Sequence, residues 1–310
     1  QYGDNVLAEG ATLEQFVAGY KEAFDETDDA AIQQELRKLL LNIVMPKLFD
    51  ELREYDYDTA KYVLRENVTV ETIETLYDTL LPIVVEEDRP TLLSKKYELQ
   101  YVYYTDQIEE LTGVTNSIYS PIVFEKEVSS ESIEALFKEW DAEAEYNDYR
   151  AKEITNLAKN VIISANIQPL LTLLHENYEN YYGSELLKDG VTLEQFVTAY
   201  EKAFNGTEHE ASKERMKNLV SSHFVRKAFN HLQNDNYSNN FDYAKDDVTI
   251  ANIRGVLMEL SPILSEQDAA KLQNKQYLLE YSYYLQQLAK LAPGIQDDIY
   301  ESYYKLADDV

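Results

Sequence analysis

Val191-Thr192-Leu193-Glu194-Gln195-Phe196 reads as the start of a helix, and close variants of it recur along the chain. They are Ala11-Thr12-Leu13-Glu14-Gln15-Phe16, Val68-Thr69-Val70-Glu71-Thr72-Ile73, Val128-Ser129-Ser130-Glu131-Ser132-Ile133 and Val248-Thr249-Ile250-Ala251-Asn252-Ile253. A Thr or Ser at such a point turns its side-chain oxygen onto a backbone N–H that the first helical turn leaves unpaired. Gln15 and Gln195, three residues beyond their threonines, can reach back to the cap's own N–H and close a capping box. The apolar residue before each cap and the Phe or Ile four residues after it pair as a hydrophobic staple. Glu14, Glu71, Glu131 and Glu194 add negative charge where the helix dipole favours it.

Behind each cap the apolar residues keep helical spacing. Phe16, Tyr20, Ala23 and Phe24 form one stripe; Ile73, Tyr77, Leu80 and Leu81 form the next, and Ile133, Phe137 and Trp140 the third. Phe196, Tyr200, Ala203 and Phe204 repeat the pattern, as do Ile253, Leu257 and Leu260. Stripes that keep their positions while their residue types change are packing faces.

Sliding the sequence by 180 positions brings residues 2–112 onto 182–292 without a gap, with roughly a third of the pairs identical. Tyr97, Tyr101, Tyr103 and Tyr104 fall on Tyr277, Tyr281, Tyr283 and Tyr284. The caps at 12, 69, 129, 192 and 249 are separated by 57, 60, 63 and 57 residues, which sets a finer period of about 60 residues, the length of a helical hairpin with its connections. The fold expected is therefore all-α: tandem helical-hairpin repeats in the order A, B, C, A′, B′, forming an elongated bundle or solenoid-like array. The domains expected are 1–128 (units A and B), 129–191 (unit C, with a bridging helix and linker) and 192–310 (units A′ and B′).

Within that frame, unit A should hold a short helix from Thr12 to about Phe24 and a longer one reaching about Glu54, kinked at Pro46. Unit B should hold a short helix ended by Pro82, then a long helix opened by Asp88 and Pro90 and closed by Gly113. Residues 147–182 carry one strong breaker, Pro169, and read as a long bent helix. Gly183–Gly190 reads as a linker, Ser265–Asp268 as a further capped start, and Pro293-Gly294 as a stop. Residues 1–11 match the end of unit C and the chain stops where another cap is due, so more repeats are expected beyond it.

The chain carries 57 Asp and Glu against 28 Lys and Arg, a net charge of -29. A field of that sign repels nucleic acid and anionic lipid, so neither is an expected partner. The lack of cysteine removes disulfides, thiolate catalysis and zinc–thiolate sites together. No apolar run is long enough to span a membrane.

No residue set announces catalysis, and no cofactor or metal site is expected. The carboxylate groups Asp25/Asp28/Asp29, Asp56/Asp58 and Asp242/Asp246/Asp247 lack the spacing and central glycine of an EF-hand loop, leaving only a weak association of Ca²⁺ with the acidic surface open. His175, His209, His223 and His231 have no counterparts 180 residues earlier and no zinc-site spacing. Asn67, Asn205 and Asn236 begin short glycosylation patterns. The 26 tyrosines are the compositional excess. The rows Tyr97, Tyr101, Tyr103, Tyr104 and Tyr277, Tyr281, Tyr283, Tyr284 are the candidate binding residues, since tyrosine joins a large rigid face to a polar tip. Such rows either line seams between helices or grip a peptide or glycan.

The function expected is non-enzymatic: a helical repeat region of a secreted or cell-surface protein, acting as a structural spacer or adhesive module. The rival is a solenoid-type scaffold that binds a peptide, glycan or partner protein through the tyrosine faces. Carboxylate chemistry in an enzyme is the third and weakest reading.

Overall fold

The computed structural model describes residues 6–7, 10–57, 61–114, 123–138, 140, 148–180, 185–234 and 243–292. It is mostly helical with little strand, the all-α class expected. By its contacts the chain divides into two units, 1–162 and 163–310, the division falling inside one helix.

Unit 1 opens with α1 (Leu13–Asp25), α2 (Ala30–Leu39), a π-helical turn (Leu40–Val44) and α3 (Met45–Asp50). A hairpin of β1 (Arg53–Asp56) and β2 (Lys61–Leu64) follows, then α4 (Val70–Leu80), a 3₁₀ turn, α5 (Arg89–Thr112) and α6 (Ser130–Leu136). The helix α7 (Tyr149–Leu171) carries the division. Unit 2 continues with α8 (Leu193–Gly206), α9 (Glu210–Leu219), a second π-helical turn (Val220–Phe224) and α10 (Val225–Lys227). The short strands β3 (Gln233–Asn234) and β4 (Tyr243–Ala244), α11 (Ile250–Leu260), a 3₁₀ turn and α12 (Glu266–Leu291) complete it.

The caps act as their chemistry requires. Thr12 and Thr192 each accept from the N–H of the glutamine three residues on, which returns a hydrogen bond to the cap's N–H. Thr69 with Thr72 and Thr249 with Asn252 close equivalent boxes, so a hydroxyl or amide at the third position serves as well as glutamine. Ser129 accepts from Ser132 N–H, and Ser265 from Asp268 N–H. At the far end of α5, Gly113 sits at φ 77°, the left-handed conformation that a helix stop favours and a side chain resists.

Two expected helix ends need correction. The helix from residue 30 does not reach Glu54, because it ends at Asp50 and the chain turns into the β1–β2 hairpin. That hairpin is held by side chains: Tyr55 meets Tyr57 and Tyr62 edge-on at 5.1 and 5.2 Å, and Arg53 lies over Tyr62 while pairing with Asp50 and Glu98. The helix read into 147–182 stops at Leu171, two residues after Pro169, and Leu174 then bridges to Leu187. Asp88 and Pro90 do open α5, Asp88 standing at its N-cap position, although the Asp88 carboxylate takes two hydrogen bonds from Arg37, at 3.0 and 2.8 Å, rather than from the helix's first N–H groups. Pro46 does follow an irregular turn, but the same π turn recurs at 220–224, where Arg226 stands in the proline's place. Proline is therefore not what makes it. The Pro293-Gly294 stop, Gly183 of the linker, Asp58 and Asp242 lie outside the described residues.

Each unit buries its own stripe residues. In unit 1 Tyr20, Leu40, Met45, Phe49, Ile73 and Leu92 form the core. In unit 2 Phe196 stacks on Phe224 at 4.1 Å, with Tyr200, Phe229, Ile253 and Leu272 around them. Thr192→Ala should lower the stability of the folded chain by about 1 kcal/mol, read from the midpoint shift in urea, through loss of the α8 cap. Burial pushes the Tyr200 phenol up to about 12, and burial followed by the Glu179 charge does the same to Tyr178. An unfolded tyrosine ionises near pH 10, so the folded chain holds these protons longer. Their contribution is complete below pH 10 and is lost as pH rises toward 12. Tyr200→Phe should flatten that alkaline decline in urea titrations at pH 9 to 12.

Candidate functional site

The two tyrosine rows sit where helical spacing places them, but they meet different surroundings. On α5, Tyr97 is 4% and Tyr104 1% exposed, and Tyr101 and Tyr103 are half-buried. Their cover comes from α6 and the turn after it. Phe137 stacks on Tyr104 at 4.9 Å, and Trp140 stands edge-on to Tyr97 at 5.7 Å and to Tyr104 at 5.9 Å. Trp140 is itself fixed by donating its indole N–H to Thr155 Oγ1 on α7. Arg150 lies over the Tyr101 ring at 5.0 Å.

On α12 the row is open. Tyr277 is 53% and Tyr284 48% exposed, and the same face continues into Leu288 at 50% and Leu291 at 83%. Tyr281 is half-buried, and Tyr283 packs its ring against the core of unit 2 and meets Tyr284 edge-on at 5.7 Å. The other side of α12 enters that core through Leu272 and Leu279. Residues 277, 281, 284, 288 and 291 are spaced 4, 3, 4 and 3 apart, which confines them to one narrow strip of the helix surface. A continuous exposed apolar strip of this kind marks an interaction surface more often than scattered single residues do.

The polar groups beside the rows are exchanged in pairs. In unit 1 Glu74 accepts from Gln100 and pairs with Lys96 at 3.4 Å. In unit 2 the positions 180 further on hold Arg254, Glu280 and Gln276. Arg254 clamps Glu280 through two hydrogen bonds of 3.0 and 2.9 Å, and Gln276 donates to the same carboxylate. The hydrogen bond from Arg254 holds the Glu280 carboxyl below its usual range, and the pairing raises Arg254. Met258, one turn along α11 from Arg254, is among the most exposed apolar residues described.

Sequence reading singled out the tyrosines and missed Leu288, Leu291 and Met258, although the 3–4 spacing runs straight on from Tyr284. It also gave no role to Phe137 and Trp140 as the cover of the α5 row. The tyrosines at 181, 182, 300, 303 and 304 lie outside the described residues.

Several titratable groups elsewhere have structural partners. Asp29 caps α2 by accepting from the N–H groups of Ala31 and Ile32. His209 shares a hydrogen bond with Ser212, and His175 pairs with Glu185 at 3.0 Å. His223, its Nδ1 buried, stands edge-on to Tyr178, and burial lowers its pKa. Lys227 is fully buried and donates to the carbonyls of Tyr178 and Asn180; burial lowers its pKa, with Arg226 adding to the shift. It borders an open cavity of about 540 Å³ in unit 2, whose walls mix Lys245 and His231 with Asp189 and Glu259 around the Gly190 turn. Opposed charges on the same wall select for no one sign of ligand. Among the described residues no three His, Asp or Glu side chains converge to hold a metal ion, and no helix is long and apolar enough to cross a membrane.

Searches against protein-family models, curated proteins and solved structures find no match to this chain. The reading therefore rests on its own residues. Tyr104→Ala should cost about 3–5 kcal/mol of stability, as removal of a buried ring does. Tyr284→Ala, at the matching position, should stay within about 0.5 kcal/mol, and urea unfolding of the two variants measures the difference.

Proposed function

We propose that the chain is a non-catalytic, tandem-repeat helical module that holds a partner polypeptide on the open tyrosine face of α12. The observation that carries this reading is the strip of Tyr277, Tyr284, Leu288 and Leu291 that stands exposed along α12 among the described residues. An exposed apolar strip of this length serves contact with another surface more often than scattered single residues do. The scaffold reading is therefore preferred to the spacer. Tyrosine suits the task because its ring contributes contact area at low cost in conformational entropy, while its hydroxyl keeps the uncovered face wettable.

The repeat reading draws support from the order of elements. A Thr-capped helix, a second helix ending in a π turn, a two-stranded ladder, another Thr-capped helix, a 3₁₀ turn and a long helix follow one another in both units. The paired exchange of Glu74 and Gln100 for Arg254 and Glu280 is what a duplicated contact under drift would leave. Display outside the cell suits a cysteine-free, strongly acidic module that keeps itself soluble by charge.

The test is selection of binders from a random peptide library and from a glycan array against the chain, followed by measurement on a Tyr277→Ala/Tyr284→Ala double variant with unchanged circular dichroism. Peptide binders that lose tenfold or more in affinity on the double variant are the expected result. Binders indifferent to both substitutions, or recognition of glycans alone, would overturn the reading.

A further inference from the structure

We propose that the open cavity beside Lys227 is a binding site for a small zwitterion with an apolar body, an α-amino acid or dipeptide of the leucine kind. The site is separate from the α12 strip and does not rest on the reading of that strip.

Its centre is a buried charge. Lys227, at the end of α10, is 1% exposed, and its ammonium group gives two of its three N–H donors to the carbonyls of Tyr178 and Asn180. Among the described residues no carboxylate pairs with it, and burial and the neighbouring Arg226 both lower its pKa. Carbonyl oxygens solvate an ammonium ion without cancelling its charge, and a buried charge without a counter-ion is costly. Lys227 lies on the wall of a cavity of about 540 Å³, within the ~300–1,000 Å³ that small-molecule sites occupy. A ligand carboxylate supplies the counter-charge that the chain does not.

The rest of the wall calls for the opposite charge as well. Lys188 and Lys245 add two further ammonium groups, and Asp189 and Glu259 line the same space. Among the described residues these four side chains form no ion pair with one another or with Lys227. Charges of both signs that leave each other unpaired are bridged by a ligand that carries both. The net charge of -29 decides against a bare anion, which it repels; a zwitterion is neutral overall and meets no such barrier. Leu186, Leu187, Val191 and Ala228 add apolar wall, which suits an apolar side chain between the two charged ends. Backbone bonds hold this wall in place without a ligand: Lys188 N–H to the Leu173 carbonyl at 2.9 Å, Val191 N–H to that of Lys188 at 3.0 Å, and Lys245 N–H to that of Leu232 at 2.9 Å.

The experiment titrates the whole chain by isothermal calorimetry with L-leucine and with leucyl-leucine, each beside its N-acetyl form, which lacks the ammonium group, and its amide, which lacks the carboxylate. Saturable one-to-one binding of at least one zwitterion is expected, with both blocked forms at least tenfold weaker. Lys227→Met should weaken binding at least tenfold. Glu259→Gln and Lys245→Ala, both at exposed positions, should each weaken it at least threefold with unchanged circular dichroism. If Lys227→Met unfolds the chain, these two surface variants decide. Failure of either zwitterion to saturate at millimolar concentration would overturn the inference. Blocked forms that bind equally well, or binding that both surface variants leave unchanged, would do the same. Tyr277→Ala/Tyr284→Ala should leave the titration as it is; loss of binding in that variant would move the ligand to the α12 strip and overturn the assignment.

Discussion

Each unit depends on the point at which its capped helices begin. A Thr side chain bonded to the backbone two or three residues ahead fixes the first turn, and the turn fixes which side of the helix every later residue faces. In α8 that places Phe196, Val197, Tyr200 and Ala203 inward together; in α1 the same start places Phe16, Tyr20 and Phe24 on one face, with Tyr20 stacked on Phe24 at 6.0 Å. A shift of one residue in the start would rotate such a stripe by about 100° and carry its apolar face out of the core. The box costs little in sequence, which is why Gln, Thr and Asn all serve as its third member.

What could be read in advance follows from that locality. Capped starts, the stops at Pro82 and Gly113, and the apolar stripes are all set by residues within a turn or two of one another. The features that escaped are set by contacts between residues far apart in sequence. Arg53 reaches Glu98, and Tyr55 meets Tyr62 across a hairpin; a window centred on residues 45–56 sees only a plausible end of helix. The π turns have no local signal either. Pro46 would have been the natural cause, yet the turn at 220–224 forms without a proline, so the constraint lies in how the helix must seat both Leu40 and Met45, or Val220 and Val225, in one core.

The same limit governs the candidate site. Periodicity places Tyr97 and Tyr104, and likewise Tyr277 and Tyr284, on common faces, but a face has no fate until a neighbour is known. Trp140 lies 43 positions beyond Tyr97, and its own placement depends on Thr155. Nothing in the sequence of α5 distinguishes its row as the covered one, because the two rows are nearly the same sequence.

Other matched positions differ, Tyr77 and Asp78 standing against Leu257 and Met258. The flanking polar contacts differ too, Glu74 and Gln100 in one unit standing against Arg254 and Glu280 in the other, while Tyr277, Tyr281 and Tyr284 are the same residue types as on α5. The clamp of Arg254 on Glu280 pairs a carboxylate that would otherwise sit as a lone charge beside exposed rings. Two faces that are nearly one sequence thus differ in the polar pairs beside them and in what is packed over them, and it is those long-range neighbours that decide the exposure of each ring.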